Sequence, residues 1–328
     1  MSPPGMAGRI DTRDAVEHAE ADDLWDVTLR QVSPGRFHGQ TEFVQLNGLI
    51  FYRENWNQRI LATGTTPKGY FTFGGSLSSA SGASLDWCGG NANRKQLALG
   101  RPASEMEIIF PDQSTHIALL VPERLIREHF GEEQLADLLS NTRHHLNCPP
   151  EHGCELVTRL DRMVSKYQAN AALLSDAREC NAAELRLMND LSEALDDRVP
   201  DARREIRNQR RQTLHRAIEF SERLREPITV PLFATQAGMS QRTLELAFQE
   251  SLGITPRQYL RWHRMHNVYR ELRASDAESV TDIAAHWGFT ELGRFAVEYK
   301  QLYGESPSTT LGRRSAAPAT RLSDALAG

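Results

Sequence analysis

Arg242 and Arg294 are the side chains whose type and setting suggest specific chemistry most directly. Each follows a glycine and a hydroxyl residue at the front of a short amphipathic segment: Gly238-Met-Ser240 precedes Gln241-Arg242, and Gly288-Phe-Thr290 precedes Glu291-Leu-Gly-Arg294. A guanidinium can hold guanine O6 and N7 with two parallel hydrogen bonds, and a glutamine amide can do the same for adenine. In the first segment Gln241, Arg242, Glu245 and Gln249 share one stripe, opposite Leu244, Ala247 and Phe248. In the second, Glu291, Leu292, Gly293 and Arg294 form the presenting end, with Lys300 further along and Phe295, Tyr299 and Leu302 facing inward. Polar and cationic residues at the leading end of a helix are what reading a major groove requires. The candidate contacts to a duplex are therefore Ser240, Gln241, Arg242, Glu245, Gln249, Arg261, Thr290, Leu292, Gly293, Arg294 and Lys300.

The elements that must position these residues are written twice. Thr229 to Ser240 and Ser279 to Thr290 each open on a hydroxyl cap, place an alanine (Ala234, Ala284) mid-helix and break at a glycine, Gly238 or Gly288. Each then restarts on a second hydroxyl, Ser240 or Thr290, and stops at Gly253 or Gly304 before Thr-Pro256 or Ser-Pro307. Hydroxyls accept from the first free N–H groups of a helix, and glycine takes the left-handed position after its end. Short helix, tight turn and second helix make a helix-turn-helix. Leu232, Phe233 and Ala237 are expected to face inward in the first copy, and Val280, Ile283 and Trp287 in the second. Between the copies, Pro256 to about Leu272 reads as one helix carrying Arg257, Arg261, Arg264, Arg270 and Arg273. Seventeen residues at about 1.5 Å each span roughly 25 Å, somewhat less than the roughly 34 Å between neighbouring major-groove segments, a gap that bending of the duplex would close. Its arginines divide between phosphate contacts and internal ion pairs.

The charge distribution agrees. The 328 residues carry a net charge of −5, yet residues 1–200 hold 19 Lys/Arg against 28 Asp/Glu, and residues 201–328 hold 19 against 15. One basic half is what a chain shows when only one domain meets phosphate. Four cysteines form no disulfide framework. Residues 1–14 lack the basic start and apolar core of a signal peptide, and the apolar run Ile117–Val121 is too short to cross a bilayer. A soluble, cytoplasmic protein is expected.

The fold class expected is α+β: an N-terminal β-rich, cupin-like barrel with helices, then an all-α domain with two helix-turn-helix units. Residues 1–22 read as a flexible tail, 23–200 as an effector-binding or dimerisation domain, 203–314 as the double helix-turn-helix and 315–328 as a disordered tail. Strand-like runs alternate with turns from Trp25 to Val121. Beyond Pro122 the apolar period becomes helical, with Leu156, Leu160, Met163 and Tyr167 on one face and Leu185, Met188, Leu191 and Leu195 on another. Such stripes pack on their own sheet or pair two subunits. Asp196–Ala202 reads as the connection between domains.

Gly238–Leu244, Phe248, Leu252–Leu260, Arg264-Met265, Asp282–Ala284, Trp287–Phe289, Arg294-Phe295 and Tyr303–Pro307 together resemble the AraC/XylS family of bacterial transcription regulators. The resemblance covers residues 208–314. It implies an activator, monomeric or a homodimer, that binds promoter DNA, contacts RNA polymerase and senses a small-molecule effector through its N-terminal domain. No cofactor is implied. Trp287-Gly-Phe289 and Leu292–Ala296 are similar to the subgroup that includes the ethanolamine-utilisation regulator, whose effector is not carried over. Where many members have arginine in mid recognition helix, this chain has Leu246 and Val297, which shifts base reading toward Arg242 and Arg294.

Other residues have two readings. Trp25, Phe43, Phe51, Tyr52, Trp56, Phe71 and Phe73 either line a ligand cavity or fill the β-rich core. The cluster His144, His145, Cys148, His152 and Cys154 has metal-ligand residue types without metal-ligand spacing. An iron or manganese cupin enzyme is the alternative from another class, but His38 and His116 stand alone in the β-rich region, and Cys88 and Cys180 are isolated. A third reading has the front domain only pairing subunits.

Overall fold

The structure, a computed structural model, describes residues 5–92, 96–140, 145–147, 150–196, 205–224, 226–274, 279–313 and 321–327. These fall into two compact units: residues 1–29, 38–201 and 320–328 form one, and residues 30–37 and 202–319 the other.

The first unit opens with β1 (Gly5–Thr12), α1 (Ala15–Ala21) and β2 (Asp26–Gln31), followed by β3 (Gly39–Leu46), β4 (Leu49–Trp56), β5 (Ile60–Thr65) and β6 (Tyr70–Ser79). Then come β7 (Leu85–Trp87), β8 (Gly90–Ala92), β9 (Gln96–Gly100), β10 (Glu105–Phe110), β11 (Ser114–Pro122), α2 (Glu123–Ser140) and β12 (His145–Asn147). Helices α3 (Pro150–Ala169) and α4 (Ala177–Asp196) close the unit. A seven-stranded sheet runs β1-β3-β4-β11-β6-β9-β12 and a five-stranded sheet runs β2-β5-β10-β7-β8, both open in their strand order.

Strand parity decides what each side of the larger sheet does, because successive side chains point to opposite faces. Leu49 and Phe51, Phe71 and Phe73, Leu97 and Leu99, and Ile117, Leu119 and Val121 join one buried core with Leu156, Leu160, Leu187 and Leu191 of the helices. The apolar stripes of α3 and α4 are thus used on their own sheet. In α4 Met188, Leu191 and Leu195 are buried as expected, together with Leu187, whereas Leu185 is 53% exposed.

Two expected tails carry structure. Residues 5–22 pair as a strand with β3 and continue into α1, where Asp14 caps Val16 N at 2.8 Å and Ile10, His18, Ala21 and Asp22 are buried. The Pro/Gly texture at the extreme N-terminus hid a strand whose partner lies thirty residues away. At the other end, Leu322–Ala327 forms a helix whose Leu322 is fully buried and whose Ser323 N–H donates to Asp23 Oδ1 at 2.8 Å. The connection at residues 197–204 lies outside the described residues.

The second unit contains α5 (Glu205–Glu222), α6 (Val230–Gln236), α7 (Gln241–Leu252), α8 (Pro256–Arg273), α9 (Val280–His286), α10 (Leu292–Tyr303) and α11 (Pro307–Gly312). Thr229, Ser240, Thr255, Ser279 and Ser306 each cap a helix by accepting from a backbone N–H three residues on. Gly238, Gly253, Gly288 and Gly304 all have φ near +70°, the left-handed region where a Cβ is costly. Residues 30–37 also pack in this unit: Gln31 Nε2 donates to Leu302 O at 2.7 Å, Gly35 N to Gln301 O at 3.0 Å, and Arg30 pairs with Glu222.

Two local expectations differ. Leu232 is 45% exposed, because the short helix α6 buries Phe233, Ala234 and Ala237 instead. Thr290 does not cap α10. The turn after Gly288 is one residue longer than that after Gly238, so the cap position falls on Glu291, which makes no side-chain cap bond. Ser240→Ala should therefore cost about 1 kcal/mol in chemical denaturation of the helical unit, and Thr290→Ala less than about 0.5 kcal/mol. Equal losses at both positions would contradict this assignment of the caps.

Candidate nucleic-acid interface and internal cavity

Helices α7 and α10 hold the sequence-predicted residues at their leading ends. In α7, Leu244, Ala247, Phe248 and Leu252 are buried, which turns Gln241, Arg242, Glu245 and Gln249 outward, all exposed, with the cap Ser240 exposed beside them. In α10, Phe295, Tyr299 and Leu302 are buried, leaving Leu292, Gly293, Arg294 and Lys300 exposed, with Thr290 exposed in the turn before them. The mid-helix residues Leu246 and Val297 are 41% and 58% exposed and occupy equivalent positions, each two residues after the buried Leu244 or Phe295. Exposed aliphatic side chains so placed on two duplicated helices have no packing role within the unit.

Aromatic packing fixes both helices. Phe248 contacts Tyr259 of α8 at a ring distance of 4.9 Å and Phe233 of α6 at 5.8 Å. Phe295 contacts Phe289 at 4.7 Å and Tyr299 at 5.6 Å, while Tyr303 contacts Tyr269 of α8 at 4.5 Å. The Trp287 indole N–H donates to Glu271 Oε1 at 2.9 Å. Trp287, Phe289, Phe295 and Tyr299 are core residues.

Arg261 differs from the exposed cations. It pairs with Glu298 of α10, lies 5.4 Å from the Phe289 ring and is half-buried. Arg294 Nε donates to the other oxygen of Glu298 at 2.8 Å while keeping its own side chain 67% exposed. Burial alone would raise the Glu298 pKa, but the hydrogen bonds from Arg261 and Arg294 outweigh it and hold the carboxyl below its usual range. Of the two readings open for Arg261, the internal ion pair is the one present. Sequence spacing could pair Glu298 with Arg294, four residues before it, but not with Arg261, 37 residues away on another helix. Arg264 lies 5.0 Å from the Phe289 ring, Arg273 is buried, and Arg257 and Arg270 are exposed.

The first unit holds a cavity between its two sheets, with about 620 Å³ of space between atoms, open solvent at its mouth included. The larger sheet contributes the parity opposite to its core: Tyr52, Glu54 and Trp56, Thr72, and His116. The smaller sheet adds Leu29, Trp87, Met106, Ile108 and Phe110, and α1 with its following turn adds His18 and Asp22. Of the aromatic candidates, Trp25, Tyr52 and Trp56 line this cavity, whereas Phe51, Phe71 and Phe73 belong to the helix-side core. Phe43 lies against Gly8 of β1, where a Cβ would come within 2.3 Å of the ring.

Asp22 and Glu54 are both buried there. Burial, followed by the neighbouring Glu54 and Asp23 carboxylates, raises the Asp22 pKa well above the usual range. Burial with the Asp22 and Glu54 charges likewise raises that of Tyr52. Burial lowers the His116 pKa to about 3, so its ring is neutral. His38 pairs with Asp11 at 3.1 Å on an exposed stretch and is not among the cavity residues with His116. Among the described residues no group of three His, Cys, Asp or Glu side chains is placed to hold a metal, and the side chains of His144, His145, Cys148, His152 and Cys154 lie outside them. No helix among the described residues is long and apolar enough to cross a membrane.

Comparison with known proteins concentrates on the helical unit. Residues 233–313 match the family described as a helix-turn-helix domain. The "Probable thc operon regulatory protein" of Rhodococcus erythropolis is 44% identical over 98 residues, 29% of this chain and 30% of that protein. The XylDLEGF operon transcriptional activator of Pseudomonas putida is 35% identical over 111 residues, 33% of this chain and 35% of that protein. The crystal structure of the AraC-like transcriptional activator CuxR covers 80% of this chain and 96% of its own at 14% identity, with a TM-score of 0.41, too low to bear on the fold. The chain spans about a third of the length of the curated relatives it matches. Its second unit thus contains a helix-turn-helix domain, and the relatives matched there carry the names of operon regulators and transcriptional activators.

The raised Asp22 pKa has a measurable consequence. A carboxyl whose folded-state pKa exceeds its unfolded value of about 3.9 contributes stability below that value and loses it as pH rises through the folded-state pKa. Asp22→Asn should therefore raise the melting temperature at pH 7.5, by about 2–4 °C per kcal/mol recovered, with the difference from the native protein shrinking toward pH 4. Thermal melts across that range, with Glu54, Asp23, His18 and Tyr52 intact, check it. A variant less stable at every pH would contradict the assignment.

Proposed function

We propose that this protein is a sequence-specific transcription regulator, an activator, that reads promoter DNA through the leading ends of α7 and α10 and senses a small molecule in its N-terminal unit. What carries the reading is the duplication: two helices, each held from behind by an aromatic core, each presenting solvent-exposed polar and cationic residues at its front. In this role Ser240 and Thr290 meet phosphate from the turns, as hydroxyls at helix starts do. Arg242 and Gln241, with Glu245 and Gln249 behind them, reach base edges from the first helix. Arg294 does so from the second, where Gly293 and Leu292 permit close approach and Lys300 meets the backbone. Arg261 acts at one remove, through Glu298, by setting the direction of the Arg294 guanidinium.

Leu246 and Val297 replace cations that would read guanine. An exposed aliphatic side chain in a major groove meets the thymine methyl group, so operators rich in thymine opposite both helices are expected. Helix α8 has 18 residues, about 27 Å of rise, against roughly 34 Å for one turn of B-DNA. One molecule spans two neighbouring major-groove segments if the duplex bends toward it.

The two open sheets around a shared cavity support a cupin-like enclosure for the effector. As an activator the protein would contact RNA polymerase beside a promoter, with copies of the chain on repeated operators. The narrower likeness to the ethanolamine-utilisation regulator subgroup rests on Trp287–Phe289 and Leu292–Ala296 alone.

The test is binding to a site selected from random duplexes. Arg242→Ala should weaken the selected site about 5- to 150-fold, equivalent to roughly 1–3 kcal/mol, and relax preference at one base pair. Replacing thymine by uracil opposite α10 should weaken the native protein a few-fold and leave Val297→Ala indifferent. Unchanged affinity and preference for Arg242→Ala would retire the reading.

A further inference from the structure

We infer that the cavity between the sheets of the first unit is a site for an organic ammonium ion, with its apolar body among Trp25, Trp56 and Trp87 and its cationic head on the Asp22 and Glu54 carboxylates. The assignment deepens the sensor reading and rests on it only for the claim that occupancy is reported to DNA.

The lining contains no lysine or arginine. His116 is held neutral by burial. His18 is committed to protein groups, with Nδ1 2.9 Å from Thr12 Oγ1, Nε2 3.1 Å from Thr41 Oγ1 and 3.8 Å from Glu54 Oε1. A carboxylate or phosphate ligand entering here would meet two buried carboxyls and no lysine or arginine, an arrangement that low-dielectric surroundings make unfavourable. Anionic ligands are the wrong charge.

A purely hydrocarbon ligand is also a poor fit. Among the buried polar side-chain atoms of the cavity wall without a hydrogen-bond partner in the described residues, Asp22 Oδ1, Thr72 Oγ1 and His116 Nδ1 can each accept from a ligand. Each belongs to a side chain at most 6% exposed. Ser114 fixes the histidine's role. Its single hydroxyl proton goes to Pro111 O at 2.5 Å, so Ser114 Oγ accepts from His116 Nε2–H at 2.7 Å, and Nδ1 is left as a bare acceptor. Covering these atoms with hydrocarbon would leave each unsatisfied, which is costly.

The cation is what the site complements. Burial and the neighbouring Glu54 carboxylate raise the Asp22 pKa, and an ammonium bound beside it would favour the ionised carboxyl and take its proton's place. Indole faces attract a desolvated cation through the ring quadrupole, and three tryptophans line this space. The exchange balances: R–NH3+ binds the carboxylate, and the proton leaves the Asp22 carboxyl for solvent.

Three probes of nearly one size isolate charge: 2-phenylethylamine, 2-phenylethanol and phenylacetate, titrated calorimetrically into the full chain without DNA. The amine is expected to bind at least ten-fold tighter than either other compound, with heat that depends on buffer ionisation enthalpy as a proton is released. Asp22→Asn and Glu54→Gln should each lower amine affinity ten-fold or more and leave the alcohol within two-fold, with circular dichroism showing the fold kept. Should a variant fail to fold, Thr72→Val, which removes one unpartnered hydroxyl, serves as the second test with a several-fold loss for the amine. Tighter binding of phenylacetate, equal binding of alcohol and amine, no amine binding, or amine affinity unchanged in the carboxyl variants would each overturn the site. Amine binding that leaves operator affinity unmoved would retire the sensor reading and keep the site.

Discussion

Helix α8 belongs to two hydrophobic cores at once, and the arrangement of the helical unit depends on that. Near its start, Tyr259 packs with Phe233 and Phe248 of the first helix-turn-helix, and its hydroxyl meets Ser221 Oγ of α5 at 2.8 Å. Near its end, Tyr269 packs with Tyr299 and Tyr303 of the second. A helix buried at both ends cannot rotate to suit one copy without disturbing the other. Close-packed interiors transmit such strain rather than absorbing it. The geometry between the two copies is therefore set by one stiff element.

Electrostatics then divides the arginines by task. Glu298 gathers Arg261 and Arg294, so part of the basic charge that the sequence places in this half is neutralised internally. Arg264 spends its guanidinium on the Phe289 ring, the Trp287 carbonyl and the Gly288 carbonyl. Among the described residues Arg242, Arg257, Arg270 and Lys300 face solvent, Arg242 at the front of its helix. A mildly charged surface of this sort gives modest non-specific attraction to phosphate and puts discrimination on a few side chains.

How much of this was legible in the chain follows from the range of each interaction. Caps at Thr229, Ser240, Thr255, Ser279 and Ser306 and the glycine stops are local, within four residues, and the sequence displays them. Thr290 misled because a single extra residue in the second turn moved the cap to Glu291. The Glu298 clasp has one local half, Arg294 four residues before it, and one half with no local trace, Arg261 at a separation of 37. The cavity was half legible: Tyr52-x-Glu54-x-Trp56 places a carboxylate between two aromatics on one strand face, a signal readable by parity alone. Asp22 was invisible as a cavity residue, since its segment reads as a tail until β1 finds β3. The choice between Trp25, Tyr52 and Trp56 on the cavity side and Phe51, Phe71 and Phe73 on the helix side needed strand register, which pairing across the sheet supplies.

The two units thus present complementary chemistry, a basic reading surface in one and an acidic, aromatic-walled chamber in the other. The claim on which the rest stands is that a single chain engages two successive major-groove segments. Hydroxyl-radical footprinting of the full chain on a selected duplex tests it most directly. The account predicts two protected segments about one helical turn apart for each bound molecule, with the duplex bent between them. One protected segment of four or five base pairs per molecule would contradict it.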